Sequence, residues 1–526
     1  MGVPGKLIFA VACLFLADRF YCGEILVFPE DGSHWVNMMV ILKQLHSNGH
    51  TLTVVRSARS LYIQERSSFY TSITINPSQM EDIGSGLFDA LLIRSLELRT
   101  MSPLWRFIEQ QKDITAILKT FHGVAHQMIC TILEDTLLIN RLHSAKFDMM
   151  LTDPAFPAGV LLANYLHLPL VYNVRWLNAG DAHMAIAPSP PSYVPTYNSL
   201  FHDRMGFIER AENLLRYLVI RFQENFVILP IYSNLLARYF PSDFDLLSMQ
   251  QSADIWLLRV DFAFEFPRPT MPNIIYIGGF QCQPPQPLPA DLESFMQSSG
   301  EHGVVVMSLG VMVAALPMEI TEIIADAFAQ IPQKVVWRYM GERPSTLGNN
   351  TLLVDWLPQN DLLGHPKTHA FVSHGGTNGI YEAIYHGVPV VGLPLMFDQF
   401  DNIHRLETRG AARLVEVATL TSEGFKEALL DILQNPSYRQ SIQKLSRLHK
   451  DQPISPLNNA IFWIEYVIRN KGAGHLRSQA IGLPWYSYYC MDIFVFFLAL
   501  AFTIVWTAFT FCRLICFRGS PKKKVE

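Results

Sequence analysis

The second half of the chain is built on short β-rich runs: "GVVVMSLG", "KVVWRY", "TLLVDW", "AFVSH", "PVVGLP" and "ARLVEV". Helical stretches such as 316–330 and 378–386 separate them. Continuous apolar runs alternating with helices describe strands of a parallel sheet covered on both faces. A first set precedes it. "EILVF" (24–28) ends in the turn-like "PEDGS", and an amphipathic stretch runs from Trp35 to about Ser47. Gly49 fits its stop, and "HTLTVV" follows as a strand. The pattern returns at "FDMMLTD" (147–153), a helical stretch after Ala155, and "PLVYN" (169–173), while residues 200–250 read as mostly helical. "FEFPRPTMPN" (264–273) is stiff and proline-rich, and reads as the approach to a domain boundary. Two α/β domains in tandem form a cleft at the carboxyl ends of their strands, where ligands bind in such sheets. Function therefore belongs in the loops that follow each strand.

The ends of the chain are of another kind. Residues 1–23 carry Lys6, the apolar run "LIFAVACLFL" and "FYCG", and read as a secretory signal peptide whose cleavage site is imperfect. Ile493–Cys512 has no charged residue and is long enough to span a bilayer as a helix. Trp485, Tyr486, Tyr488 and Tyr489 precede it as an interfacial belt. Arg513, Arg518 and Lys522–Lys524 follow it, which places the tail (513–526) in the cytosol and the body in the lumen. The terminal "KKKVE" resembles a dilysine signal for retrieval to the endoplasmic reticulum. A formal net charge of −5 over 526 residues, with no basic block in the body, sets nucleic-acid binding aside. Of seven cysteines, only Cys130, Cys282 and Cys490 face the lumen on this topology, too few for a disulfide framework. Asn349-Asn350-Thr351 is a glycosylation sequon.

The strand-end residues carry the chemistry. In "FVSHGGTNGIYEA" (371–383) a strand runs through His374 and a glycine pair into a helix. A helix N-terminus presents free N–H groups and partial positive charge, which suits an anion, and Gly375 and Gly376 let the backbone approach it. Asn378 and Glu382, four apart, share a helix face, and a carboxylate there suits a ribose diol. "DWLPQNDLL" places Trp356 where it can stack on a base, with Gln359 beside it. "GLPLMFDQFDN" supplies Asp398 and Gln399 for sugar hydroxyls, and "MSLG" ends a strand at Ser308. Together these describe a nucleotide-sugar site.

Residues 356–402, "WLPQNDLLGHPKTHAFVSHGGTNGIYEAIYHGVPVVGLPLMFDQFDN", resemble the signature of the UDP-glycosyltransferases, specifically the animal UDP-glucuronosyltransferase family. "DGSHW", "FDMMLTD", "FPRPTMPN" and "FWIEYVIRNKGAGHLR" extend the resemblance over almost the whole chain. It implies a GT-B fold: two facing Rossmann-like α/β domains and a C-terminal transmembrane helix. The expected division is an acceptor domain at 24–265, a UDP-sugar domain at 274–450, a crossing helix and membrane approach at 451–490, and a span at 491–512. The resemblance assigns Trp356 and Gln359 to uracil and ribose, and Glu382 to the ribose. It assigns Ser308, His374 and Asn378, with the Gly376 and Thr377 backbone, to the diphosphate, and Asp398 and Gln399 to the sugar. It makes His34 a general base oriented by Asp153, in an inverting transfer of glucuronate to a hydroxyl of small lipophilic acceptors.

The resemblance implies UDP-glucuronate as co-substrate and no catalytic metal. It places the protein in the endoplasmic reticulum membrane, alone or in homo- or hetero-oligomers with related enzymes. Two departures bear on the donor. Val311 replaces a serine common in the family, and Phe397 replaces a common glycine beside the sugar contacts. A UDP-glucose- or UDP-galactose-dependent enzyme, or a non-catalytic partner of such enzymes, is the alternative. Arg175, Trp176 and "PSPPSYVP" (188–195) are candidates for pocket lining or for ordinary packing.

Overall fold

The computed structural model describes residues 22–76, 85–242, 244–311, 313 and 315–518; most of the expected signal peptide and the dilysine tail lie outside them. The chain divides into two compact units, one through Arg477 and one from Ser478 onward.

The larger unit holds two parallel sheets. Its strands in chain order are β1 (Glu24–Phe28), β2 (Thr51–Ser57), β3 (Thr71–Ile75), β4 (Met149–Thr152), β5 (Leu170–Val174), β6 (Trp176–Leu177), β7 (Gly180–Asp181), β8 (Ile255–Leu258) and β9 (Ile274–Tyr276). They continue with β10 (Val304–Ser308), β11 (Lys334–Arg338), β12 (Thr351–Val354), β13 (Thr368–Ser373), β14 (Val390–Gly392) and β15 (Ala412–Leu414). The first sheet runs β3-β2-β1-β4-β5-β8-β9 and the second β12-β11-β10-β13-β14-β15, while β6 and β7 form a small antiparallel ribbon. Both sheets reverse their winding direction once, between β1 and β4 and between β10 and β13. A crevice opens at that reversal, because the loops leaving the two central strands turn to opposite faces.

The strands are apolar because helices cover both faces. β4, β5, β8 and β10 are buried along their whole length. The Ser33–Ser47 helix buries Trp35, Met38, Ile41, Leu42 and Leu45, a helical stripe, against the first sheet. The Pro456–Asn470 helix returns to the same core with Ala460, Ile461, Ile464 and Val467, and Glu465 accepts a hydrogen bond from Asn48 Nδ2 at 2.9 Å. The second sheet is packed around Phe328, Trp337 and Phe425, edge-on to one another.

The sequence places the start of the second domain at residue 274, and here the structure differs. Ile274–Tyr276 is β9, the edge strand of the first sheet, paired in parallel with β8. A parallel neighbour requires the chain to travel back to the starting edge, and the proline-rich segment is that return. It is held from the second domain, where Arg409 donates to the carbonyls of Ala263 (2.9 Å) and Glu265 (2.6 Å).

In the smaller unit, a short helix at Trp485–Tyr488 precedes the Met491–Arg518 helix. Met491–Phe517 is long and apolar enough to cross a membrane, and its large side chains are exposed.

Candidate active site

The crevice of the first sheet sets His34 beside Asp153. Phe28 and Thr152 are register partners at the ends of β1 and β4, so the residues that follow them emerge side by side. Asp31 fixes the first loop by accepting hydrogen bonds from the amides of Gly32 (2.8 Å), Leu61 (2.6 Å) and Tyr62 (3.1 Å). His34 then opens the helix with Nδ1 2.6 Å from Asp153 Oδ2. The carboxylate is an acceptor, so Nδ1 carries the proton and Nε2 keeps its lone pair. Asp153 is fully buried. Burial alone disfavours its charge, but His34, the Arg259 guanidinium 3.6 Å away and the Ala155 amide hold its carboxyl below the usual range.

The second crevice brings Ser308 level with Ser373, so the loops after β10 and β13 meet. The His374 ring lies between two bare backbones. A Cβ at Gly310 would sit 2.8 Å from the imidazole, and one at Gly376 2.5 Å. Gly375, at φ +89°, completes the turn in a conformation that favours glycine. Burial lowers the His374 pKa to about 4, so the ring is neutral at pH 7. It offers one N–H to an anion, and the positive potential comes from the N-terminus of the Thr377–His386 helix.

One turn in, Glu382 accepts a 2.6 Å hydrogen bond from Gln359 Nε2, and burial pushes its pKa up to about 7. Trp356 is 68% exposed at the mouth, an aromatic face with nothing stacked on it among the described residues. Asp398 Oδ2 accepts from Thr377 Oγ1 (3.1 Å) and Asn402 Nδ2 (3.0 Å), leaving Oδ1 for a ligand. Gln399 departs from the expected role in part. Its Oε1 accepts from the amides of Leu395 (2.9 Å) and Met396 (3.0 Å), so only its Nε2 can face a sugar.

A single cavity of about 790 Å³ joins the two crevices. Its walls include His34, Ser308, Trp356, Gln359, His374, Gly376, Thr377, Asn378, Glu382, Asp398 and Gln399; Asp153 stands behind His34. Among the described residues, no group of three or more His, Cys, Asp or Glu is placed to hold a metal ion.

Asn37 carries no local signal in the sequence, whereas Arg175 and Trp176, candidates for pocket lining, do line the cavity. Asn37, one turn after His34, donates across the cleft from Nδ2 to Asn378 Oδ1 at 2.8 Å. Arg175 reaches Glu265 (2.6 Å), Asn402 (3.0 Å) and Asp398 (3.6 Å), and these acids outweigh burial to keep it charged. Trp176 packs edge-on to His34 at 5.6 Å and meets Phe397 at 6.3 Å from the other domain. Residues 188–195 do not line the cavity. Asn213 Nδ2 ties the Pro191 and Val194 carbonyls to the Phe207–Gln223 helix.

Comparison with known proteins decides the family. The family model described as "UDP-glucoronosyl and UDP-glucosyl transferase" matches residues 23–525. The chain belongs to the UDP-glucuronosyl and UDP-glucosyl transferases. Among members of this transferase family, UDP-glucuronosyltransferase 2B1 of Rattus norvegicus is 42% identical over 517 residues, covering 96% of each chain. UDP-glucuronosyltransferase 2B15 of Homo sapiens is 40% identical over 527 residues, covering 98% of this chain and 97% of its own. The fold of the transferase is shared more widely. CalG4, the calicheamicin glycosyltransferase, superimposes with a TM-score of 0.57 at 18% identity, over 85% of this chain and 99% of its own. VinC, solved with dTDP, does so with a TM-score of 0.54 at 17% identity, over 85% and 100%. The expected GT-B architecture is therefore the observed one.

Proposed function

We propose that this transferase moves glucuronate from UDP-glucuronate to a hydroxyl of small lipophilic acceptors, with inversion at the anomeric carbon. The observation that carries this reading is the shared cavity, which is lined both by His34 and by the start of the Thr377–His386 helix. His34 Nε2 takes the acceptor proton as the oxygen attacks, and Asp153 stabilises the imidazolium through Nδ1. A general base of this kind is worth roughly 10²–10⁴-fold in rate. UDP leaves onto the N–H groups at the start of the Thr377–His386 helix, with neutral His374 and Ser308 as further donors. Trp356 stacks on the uracil, Gln359 and Glu382 hold the ribose, and Asp398 with Gln399 Nε2 binds the sugar. The relatives' names support glucuronate, and the amphipathic, largely apolar acceptor side of the cavity supports lipophilic acceptors.

In the same reading, Met491–Phe517 anchors the protein in the endoplasmic reticulum membrane with its body in the lumen. The test is transfer from UDP-glucuronate, UDP-glucose and UDP-galactose to a panel of phenols, steroids and bile acids. Transfer from UDP-glucose alone would refute the glucuronate assignment. One observation favours that second reading: Phe397, at φ +56° beside Asp398, lines the cavity next to the expected sugar contacts.

A further inference from the structure

On the acceptor side the cavity is apolar, walled by Phe88, Ile117, Leu118, Phe121, Met128 and Phe156. One acidic side chain on its wall is left over by the mechanism above. Glu30, in the loop between β1 and the His34 helix, lines this chamber. Among the described residues it has no hydrogen-bond or ion-pair partner. Its neighbours do not supply a counter-charge. Arg56, on the same wall, spends Nε on the Ile63 carbonyl (2.8 Å) and Nη1 on Thr74 Oγ1 (3.2 Å), and Arg259 faces Asp153. Arg59 also lines the cavity and is not without a partner. The charges that act on Glu30 are both negative, Asp153 and Asp31, and with burial they raise its pKa well above the carboxylate range.

A partly exposed carboxyl that faces an apolar chamber beside two other acids, with no partner from the protein, is left for a ligand to answer. We propose that Glu30 is an acceptor-specificity residue that selects hydroxylated lipophiles carrying a basic amine. The amine enters the chamber and takes the Glu30 proton, forming an ammonium–carboxylate pair in an environment already negative. An anionic group would be repelled by Asp31 and Asp153, and a purely hydrocarbon acceptor would leave the carboxyl unanswered. The inference rests on the acceptor side of the proposed function, and binding can be read without turnover.

Three phenols of one shape separate the possibilities: para-(dimethylaminomethyl)phenol, para-isobutylphenol and para-hydroxyphenylacetone. Their dissociation constants are measured by calorimetry on the full-length protein in detergent micelles with UDP present. The amine is expected to bind at least ~10-fold tighter than the isobutyl compound, a gap of the size that a charge pair on an apolar chamber wall supports. In Glu30→Gln that ratio falls toward one, while Glu30→Asp retains part of it. The ligand-free melting temperature shows whether a variant is folded; if Glu30→Gln is not, the wild-type ratios and Glu30→Asp decide. Preference for the ketone would make Glu30 a neutral donor and overturn the amine assignment, as would an unchanged ratio in folded Glu30→Gln. Amine binding with no transfer from any UDP-sugar would strike the catalytic reading and leave the Glu30 assignment standing.

Discussion

His34 and Asp153 are 119 positions apart, yet their ring and carboxylate meet at 2.6 Å. The arrangement gives each a separable expectation. His34→Ala should lower turnover of a phenol at least ~100-fold with little change in donor KM, since a base acts on the chemical step. Asp153→Asn removes the charge that stabilises an imidazolium, offers Nδ1 a donor that favours the wrong tautomer, and leaves Arg259 facing a neutral group, so it should lower both turnover and melting temperature. Glu382 brings pH dependence to the donor side. Its pKa of about 7 means that it gains a proton as pH falls from 8 to 6, weakening acceptance from ribose hydroxyls. Donor KM should therefore rise severalfold over that range, and Glu382→Gln should flatten the dependence. His374, with its pKa near 4, stays neutral across the same interval and cannot produce the effect. That Glu382 and His374 line the cavity is legible in the sequence, because they fall in one contiguous stretch with a helix start inside it. Arg259 and Asn37 are not, and Arg175 is legible only as a lining candidate, because their partners come from distant loops and no local pattern announces a cross-cleft contact.

The two βα turns carry the site, and they do so through backbone shape. At Gly375 a Cβ would lie 2.7 Å from the Gln399 carbonyl oxygen, at a φ of +89°. Gly375→Ala should destabilise the protein by about 1–3 kcal/mol and weaken UDP binding, measured by denaturant unfolding and by calorimetry. Phe397 is the opposite case, a bulky residue held where glycine is comfortable. Phe397→Gly relieves that strain but gives up the Trp176 contact, so stability should change by less than ~1 kcal/mol while the spread of accepted UDP-sugars widens. Most strands were readable as short apolar runs. β9 falls outside the expected first domain because a proline-rich crossover looks, in sequence, like a linker. The Pro103–Glu134 helix, which contributes Leu118 and Phe121 to the acceptor wall, has an apolar stripe too interrupted by polar residues to stand out.

At the scale of the whole chain, the unit through Arg477 has its own core and should fold without residues 478–526. A chain ending there should keep UDP affinity within about threefold of the full-length protein in detergent. Its acid stability depends in part on His122, buried against Tyr232 and Phe156 with a pKa lowered to about 3. Between pH 6.5 and 3 the unfolded chain binds a proton there that the folded chain refuses, so stability falls as pH falls. His122→Phe should make that slope shallower in denaturant melts. The two-domain plan was visible from alternating strands and helices; how the halves touch was not, because domain contacts have no periodicity. The contact that matters most is the bond from Asn37 to Asn378. It joins the helix bearing His34 to the helix bearing Asn378; on the proposed function, a donor that settles on Asn378 stiffens the floor beneath an acceptor. Loading should then be ordered, nucleotide sugar first, and Asn37→Ala should convert it to random order in initial-rate and product-inhibition kinetics.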